Sequence, residues 1–176
     1  QTNKNFQNVI GVNVFGTFLC VREEARLMKA QGSGVIINFA SIAAHKQQYD
    51  VADKWFVETL RLAPDDADTR FNHGFVLGQA GRSREAIATF AEAVRLKPSL
   101  DRAWYGMGLA HARLGEHAAA AAAFAKSIEL QPMNAEGFYQ WGMACYHANQ
   151  PDQVKTIVGR LAGFDPKHAI KLVKDA

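Results

Sequence analysis

Cysteine is scarce in this sequence, with Cys20 and Cys145 as the only two among 176 residues. They lie far apart, and neither has a second cysteine or a histidine at the spacing of a zinc site. Isolated thiols of this kind are typical of buried residues in a reducing compartment. We therefore expect neither a disulfide nor a metal site.

Charge of one sign and long hydrophobic runs are also lacking. The net charge is +3, from 20 basic and 17 acidic side chains, which is too small to indicate nucleic acid or an anionic membrane as a partner. The longest apolar run, residues 9–21, is shorter than the roughly twenty residues that a membrane span needs. No segment has the features of a signal peptide. These absences predict a soluble, cytoplasmic protein with no nucleic-acid or membrane partner.

The sequence does contain an internal repeat. Gly74, Gly108 and Gly142 are 34 residues apart, and a fixed period of this length is typical of helical-repeat architectures. Counted from residues 67, 101 and 135, further positions recur: Gly81, Gly115 and Asn149 at the fifteenth; Ala86, Ala120 and Val154 at the twentieth; Phe90, Phe124 and Val158 at the twenty-fourth; Leu96, Leu130 and Phe164 at the thirtieth; Pro98, Pro132 and Pro166 at the thirty-second.

Each recurring residue type has a structural explanation. Small residues at the eighth and twentieth positions let two helices cross closely, and glycine or asparagine at the fifteenth ends the first helix in a left-handed turn. A large apolar side chain occupies the twenty-fourth position, and proline at the thirty-second stops the second helix. The pattern resembles the tetratricopeptide repeat, which implies an all-α solenoid of helical hairpins. We expect a hybrid repeat at 33–66, repeats at 67–100, 101–134 and 135–166, and a C-terminal capping helix at 167–176.

A second resemblance precedes the repeats. The stretch "NVIGVNVFGTF", followed by "GSGVIINFASIAA", resembles a short-chain dehydrogenase/reductase, whose active-site asparagine and serine correspond to Asn13 and Ser41. The family's Gly-rich cofactor loop is missing, and its Tyr-x-x-x-Lys step has Asp53 in place of lysine after Tyr49. We therefore predict no catalytic residue, no cofactor and no enzyme activity. The alternatives are a relic or subunit of an NAD(P)-dependent oxidoreductase, or an artificial fusion without a selected function.

The two resemblances overlap in residues 34–46. The repeat, extended backwards by one period, makes this segment the first helix of the hybrid repeat, whereas its β-branched residues favour a strand. A strand here would have to pair with another chain, because an unpaired strand leaves its backbone groups unsatisfied. Both structures remain open for this segment.

Residues 1–32 are predicted to form an N-terminal helix. Its apolar side chains surround more of the helix than a single helical array can cover, which favours self-association. We expect a homo-oligomer whose interface includes Ile10, Val14, Phe15, Phe18 and Leu19.

The resemblance to tetratricopeptide repeats also implies a binding groove. In that family, the second, fifth, ninth, twelfth and thirteenth positions of each first helix face the concave surface, where a peptide or a partner helix lies. Here these positions are rich in aromatic residues and arginine, which are common in binding hot spots. The alternative is that part of this row packs between neighbouring repeats. We predict a non-catalytic protein–protein interaction module with the groove residues Phe71, Phe75, Arg102, Tyr105, Leu109, Arg113, Tyr139, Met143 and Tyr146.

Overall fold

The computed structural model describes residues 48–176. The predictions made for residues 1–47 lie outside the described residues: the N-terminal helix, the interface residues Ile10, Val14, Phe15, Phe18 and Leu19, and the choice between helix and strand at 34–46. The chain divides into two compact units, Gln1–Pro64 and Asp65–Ala176. All regular structure from residue 48 onward is helical: α1 (Tyr49–Leu62), α2 (Ala67–Gln79), α3 (Ser83–Leu96), α4 (Asp101–Arg113), α5 (His117–Leu130), α6 (Ala135–His147), α7 (Pro151–Ala162) and α8 (Pro166–Asp175).

Helix α1 belongs to the first unit. Its buried residues Ala52, Phe56 and Thr59 recur at the spacing of one helix face. The Thr59 hydroxyl donates to the Trp55 carbonyl at 2.7 Å, so this buried polar group is satisfied within the helix. The helix ends two residues before Pro64, as expected when proline disfavours a helical conformation in the preceding residue.

The helices of the second unit pack on one another in chain order, from α2 on α3 through to α7 on α8. In addition, α2 contacts α4, and α6 contacts α8. Contact between near neighbours along the chain is the packing of a helical repeat array. The predicted left-handed turns are present, with φ angles of 79° at Gly81, 75° at Gly115 and 57° at Asn149.

A buried phenylalanine packs against a glycine in each of the first two hairpins. A Cβ atom on Gly74 would lie 2.8 Å from the Phe90 ring, and one on Gly108 would lie 2.7 Å from the Phe124 ring. Both distances are too short for carbon atoms, so only a residue without a side chain lets the ring pack this closely on the helix. The eighth and twenty-fourth positions of the repeat are therefore coupled by packing.

The third hairpin uses a different side chain for the same purpose. Its twenty-fourth position is Val158, which is only partly buried. A Cβ atom on Gly142 would instead overlap the side chain of Leu172 from α8, and Leu172 is fully buried in the core cluster of α5–α8. Helix α8 thus supplies the large apolar group that α7 lacks.

The start of α8 is fixed by Asp165. Its carboxylate accepts from the His168 backbone amide at 3.2 Å, and its second oxygen lies 2.8 Å from Nδ1 of His168. Hydrogen bonding from the His168 backbone amide lowers the pKa of the Asp165 carboxyl. An ionised side chain at this position stabilises the helix N-terminus and so helps to place Leu172 against Gly142.

Candidate functional site

The candidate site is the row of side chains contributed by α2, α4 and α6. At its first end, the Arg102 guanidinium lies 3.1 Å from the Asp68 carboxylate and 4.7 Å from the centre of the Phe71 ring. Lys97 approaches the other Asp68 oxygen at 3.2 Å. The Phe71 ring in turn lies 6.0 Å from Phe90. Arg102 thus links α4 to α2 through Asp68 and Phe71, and Phe71 also packs on α3.

In the middle of the row, α4 contributes side chains that also pack inward. The Tyr105 ring lies 5.5 Å from the buried Phe124 ring. Desolvation, with a smaller contribution from the Glu136 carboxylate, raises the pKa of the Tyr105 phenol. Leu109 is partly buried against the same core cluster. One side of these residues supports the array, and only the other side can meet a partner.

At the second end, Tyr139 is linked to α8. Its hydroxyl donates to the Asp175 carboxylate at 2.7 Å, and the Lys171 ammonium lies 4.1 Å from the ring centre. The hydrogen bond to Asp175 is the main cause that raises the pKa of Tyr139 to about 12. Met143, one turn further along α6, packs on the core cluster.

Phe75 and Tyr146 are different from the other apolar residues of the row. Phe75 is 51% exposed and Tyr146 is 45% exposed, whereas Phe71, Tyr105 and Tyr139 are partly buried. Arg113 is also exposed, and it donates from Nη1 to the Gly78 carbonyl at 2.6 Å. The structure therefore divides the predicted row into side chains that pack within the array and a smaller set that is presented to solvent.

Sequence reasoning missed the contacts that reach across the repeats. The Arg113–Gly78 bond and the Tyr139–Asp175 bond join residues 35 and 36 positions apart, and no local pattern marks them. The His117 and His147 rings, which repeat numbering places at unrelated positions, lie with centroids 4.9 Å apart. Only the three-dimensional packing of α5 on α6 brings them together.

Cys145 is the one cysteine among the described residues. Cys145 is fully buried, and desolvation raises the pKa of its thiol to about 11, which keeps it protonated and weakly nucleophilic. From residue 48 to the end, no group of three or more His, Cys, Asp or Glu side chains is arranged to hold a metal ion. In the same range, no helix has the length and apolar character needed to cross a membrane.

Comparisons with known families agree with both resemblances. Residues 71–135 match the tetratricopeptide repeat model, and residues 1–53 match the short chain dehydrogenase model. The search of curated proteins found no match. The recognition of a tetratricopeptide-type array behind a dehydrogenase-like segment is confirmed.

Several solved structures share the fold. A crystal structure described as YrrB, a TPR protein with an unusual peptide-binding site, aligns with a TM-score of 0.73 at 21% identity and covers 97% of this chain and 89% of that chain. A MamA crystal structure aligns with a TM-score of 0.71 at 19% identity and covers 90% of this chain and 88% of that chain. A MamA fragment from Desulfovibrio magneticus RS-1 aligns with a TM-score of 0.68 at 18% identity and covers 74% of each chain. These likenesses confirm the all-α, tetratricopeptide-type fold for the part of the chain that the structure describes.

Proposed function

We propose that the helical array is a non-catalytic protein-interaction module that binds a peptide or a partner helix across α2, α4 and α6. The observation that carries this proposal is the exposure of Phe75 and Tyr146 in a row whose other aromatic residues pack inward. Exposed aromatic side chains on a rigid surface are typical anchors of binding hot spots, because their burial by a partner removes a large apolar area from water. The fold shared with a peptide-binding TPR protein supports this choice.

The rigidity of the surface is part of the argument. Arg102, Tyr105 and Tyr139 each contact another side chain of the array. These contacts already restrict the three side chains, so less conformational freedom is lost when a partner binds. We further propose that the array includes the hybrid repeat at 33–66, the repeats at 67–100, 101–134 and 135–166, and the capping helix at 167–176.

The proposal predicts the effect of removing the two exposed rings. Peptides selected from a random twelve-residue display library on the full chain should bind with Kd values in the micromolar range, and the Phe75→Ala/Tyr146→Ala variant should bind them at least about tenfold more weakly. Both side chains are exposed, so the variant should retain the wild-type circular dichroism spectrum. Fluorescence anisotropy with labelled peptides measures the affinities.

A matched control is available outside the row. Leu130 and Met133 are exposed apolar residues at the end of α5 and in the following loop. The Leu130→Ala/Met133→Ala variant removes a comparable apolar area and should leave the affinity unchanged. Equal losses in both double variants, or failure to select any peptide on the wild-type chain, would show that the row is not the binding surface.

A second candidate function follows from the dehydrogenase match over residues 1–53. A relic or subunit of an oxidoreductase would bind a nicotinamide cofactor, and the reduced form accepts fluorescence energy from nearby tryptophan. Titration of the chain with reduced nicotinamide cofactor should leave the emission of Trp55, Trp104 and Trp141 unchanged, once the light absorbed by the free cofactor is corrected for. Saturable quenching with new emission from the nicotinamide would favour the oxidoreductase instead.

A further inference from the structure

The chemistry of the partner is suggested by the surroundings of Arg113, the last residue of α4. Its guanidinium donates through Nη1 to the carbonyl of Gly78, which lies in the last turn of α2. A cation at this position is favourable, because the final carbonyls of a helix carry partial negative charge and lack partners within the helix. The bond fixes the guanidinium on the surface of α2.

A carbonyl oxygen does not neutralise the charge of Arg113. A guanidinium has five N–H donors, and no ion pair among residues 48–176 involves this one. The nearest acidic residue in sequence is Glu116, whose carboxylate lies 2.6 Å from Nδ1 of His111. Arg102 on the same helix differs, since Asp68 pairs with it. Arg113 is thus an anchored cation in the candidate row with donors left for a partner.

The exposed Phe75 ring belongs to the same face of α2 as this cation. A Cβ atom built on Gly78 would lie 3.5 Å from Nη1 of Arg113, and Phe75 comes three residues before Gly78. Residues at that spacing are neighbours on a helix surface, with Cβ positions about 5–6 Å apart. Alternate side chains of an extended peptide point the same way and are about 7 Å apart. An apolar side chain and a carboxylate separated by one residue therefore have a spacing on the same scale as that between Phe75 and the place on α2 where Arg113 is bound.

We infer that the partner is an acidic peptide segment in which an Asp or Glu side chain, next but one to a bulky apolar residue, pairs with Arg113 while the apolar residue covers Phe75. This inference rests on the proposed function and specifies its ligand. A bidentate pair between a guanidinium and a carboxylate is stronger and more directional than a bond to a neutral acceptor. The bond to Gly78 holds the guanidinium ready for it.

The test uses peptides selected from the display library on the full chain. The selected sequences should be enriched in an acidic residue two positions from Phe, Leu, Ile or Met. For one such peptide, replacing its acidic residue by the corresponding amide should weaken binding about ten- to a hundredfold on the wild-type chain. On Arg113→Gln the same replacement should have little further effect, because the pairing partner is already missing.

Three controls keep the result specific. Arg113→Lys retains the charge without the planar donor group and should lose only part of the affinity. Arg102→Gln removes a cation that already pairs with Asp68 and should change the effect of the peptide's acidic residue less than Arg113→Gln does. Amidation of the peptide's C-terminus should leave binding unchanged, since the side chain provides the carboxylate.

The failures of the two proposals differ. Peptides that bind through Phe75 and Tyr146 but carry no acidic residue, or that bind Arg113→Gln as tightly as wild type, would overturn this inference and leave the interaction module intact. A loss of binding on C-terminal amidation would also overturn it, because the carboxylate would then come from the chain end. Peptides whose binding ignores the Phe75→Ala/Tyr146→Ala variant would overturn the proposed function itself.

Discussion

Replacing Phe124 by Ala is expected to lower the free energy of unfolding by about 3–5 kcal/mol. The ring is fully buried, lies against Gly108 and contacts Tyr105 across the α4–α5 hairpin. Its removal leaves a cavity that the surrounding helices cannot close, because Gly108 has no side chain to occupy it. Since small domains are stable by only about 5–15 kcal/mol, a large share of the stability is lost.

Urea unfolding followed by circular dichroism measures this effect. Phe75→Ala provides the matched control, since it is the same substitution at a side chain that is 51% exposed. Surface changes of this kind usually alter stability by no more than about 0.5 kcal/mol. Similar unfolding midpoints for the two variants would contradict the packing described for Phe124.

Replacing Leu172 by Ala should cost about 2–5 kcal/mol of unfolding free energy. Leu172 is the side chain that fills the space over Gly142, and it is completely buried although α8 lies near the end of the chain. Its loss removes the packing of α8 on α6 and exposes part of the last core cluster. The core cluster around Phe138 and Leu161 should therefore unfold at a lower urea concentration.

Two controls separate packing from general damage to α8. Ile170→Ala removes a side chain of the same size from the same helix, but Ile170 is 57% exposed, so the free energy of unfolding should change by less than about 0.5 kcal/mol. Gly142→Ala should be destabilising in the wild-type chain and tolerated in Leu172→Ala, because the added methyl group then enters the vacated space. Additive effects of the Gly142 and Leu172 substitutions would show that the two residues are not in contact.

The repeat made much of the fold predictable from the sequence. The period predicted small residues where two helices cross and a large apolar side chain at the twenty-fourth position, and in the structure Gly74 packs on Phe90 and Gly108 on Phe124. Positive φ angles at the fifteenth position follow from the residue types found there. Local chemistry and a fixed period were sufficient for these features.

The packing at the end of the array could not be predicted in the same way. Phe90 follows Gly74 by 16 residues, whereas Leu172 follows Gly142 by 30, so the repeat numbering does not pair the last two. The packing of Leu172 on Gly142 depends on α7 ending at Ala162 and on the position at which Asp165 starts α8. Such an arrangement is decided by tertiary packing and has no local sequence pattern.

The sequence predicted which residues form the candidate row, but not which of them pack inward and which are exposed. The repeat pattern placed Phe71 and Phe75 in the same row, and both are phenylalanine. Phe71 lies against Phe90 and the Arg102 guanidinium, whereas Phe75 has about half of its surface in solvent. The difference in exposure arises from the neighbouring helices. It cannot be read from the sequence, because both positions hold the same residue type.

The proposed binding face is tested most directly by mapping a selected peptide onto the 19.3-kDa chain through amide chemical-shift changes in ¹H–¹⁵N NMR spectra. A ligand seated on α2, α4 and α6 should shift the signals around Phe75, Arg113 and Tyr146 saturably, with little change in α3, α5 and α7. Shifts confined to α3, α5 and α7, or none at saturating peptide, would contradict binding at this face.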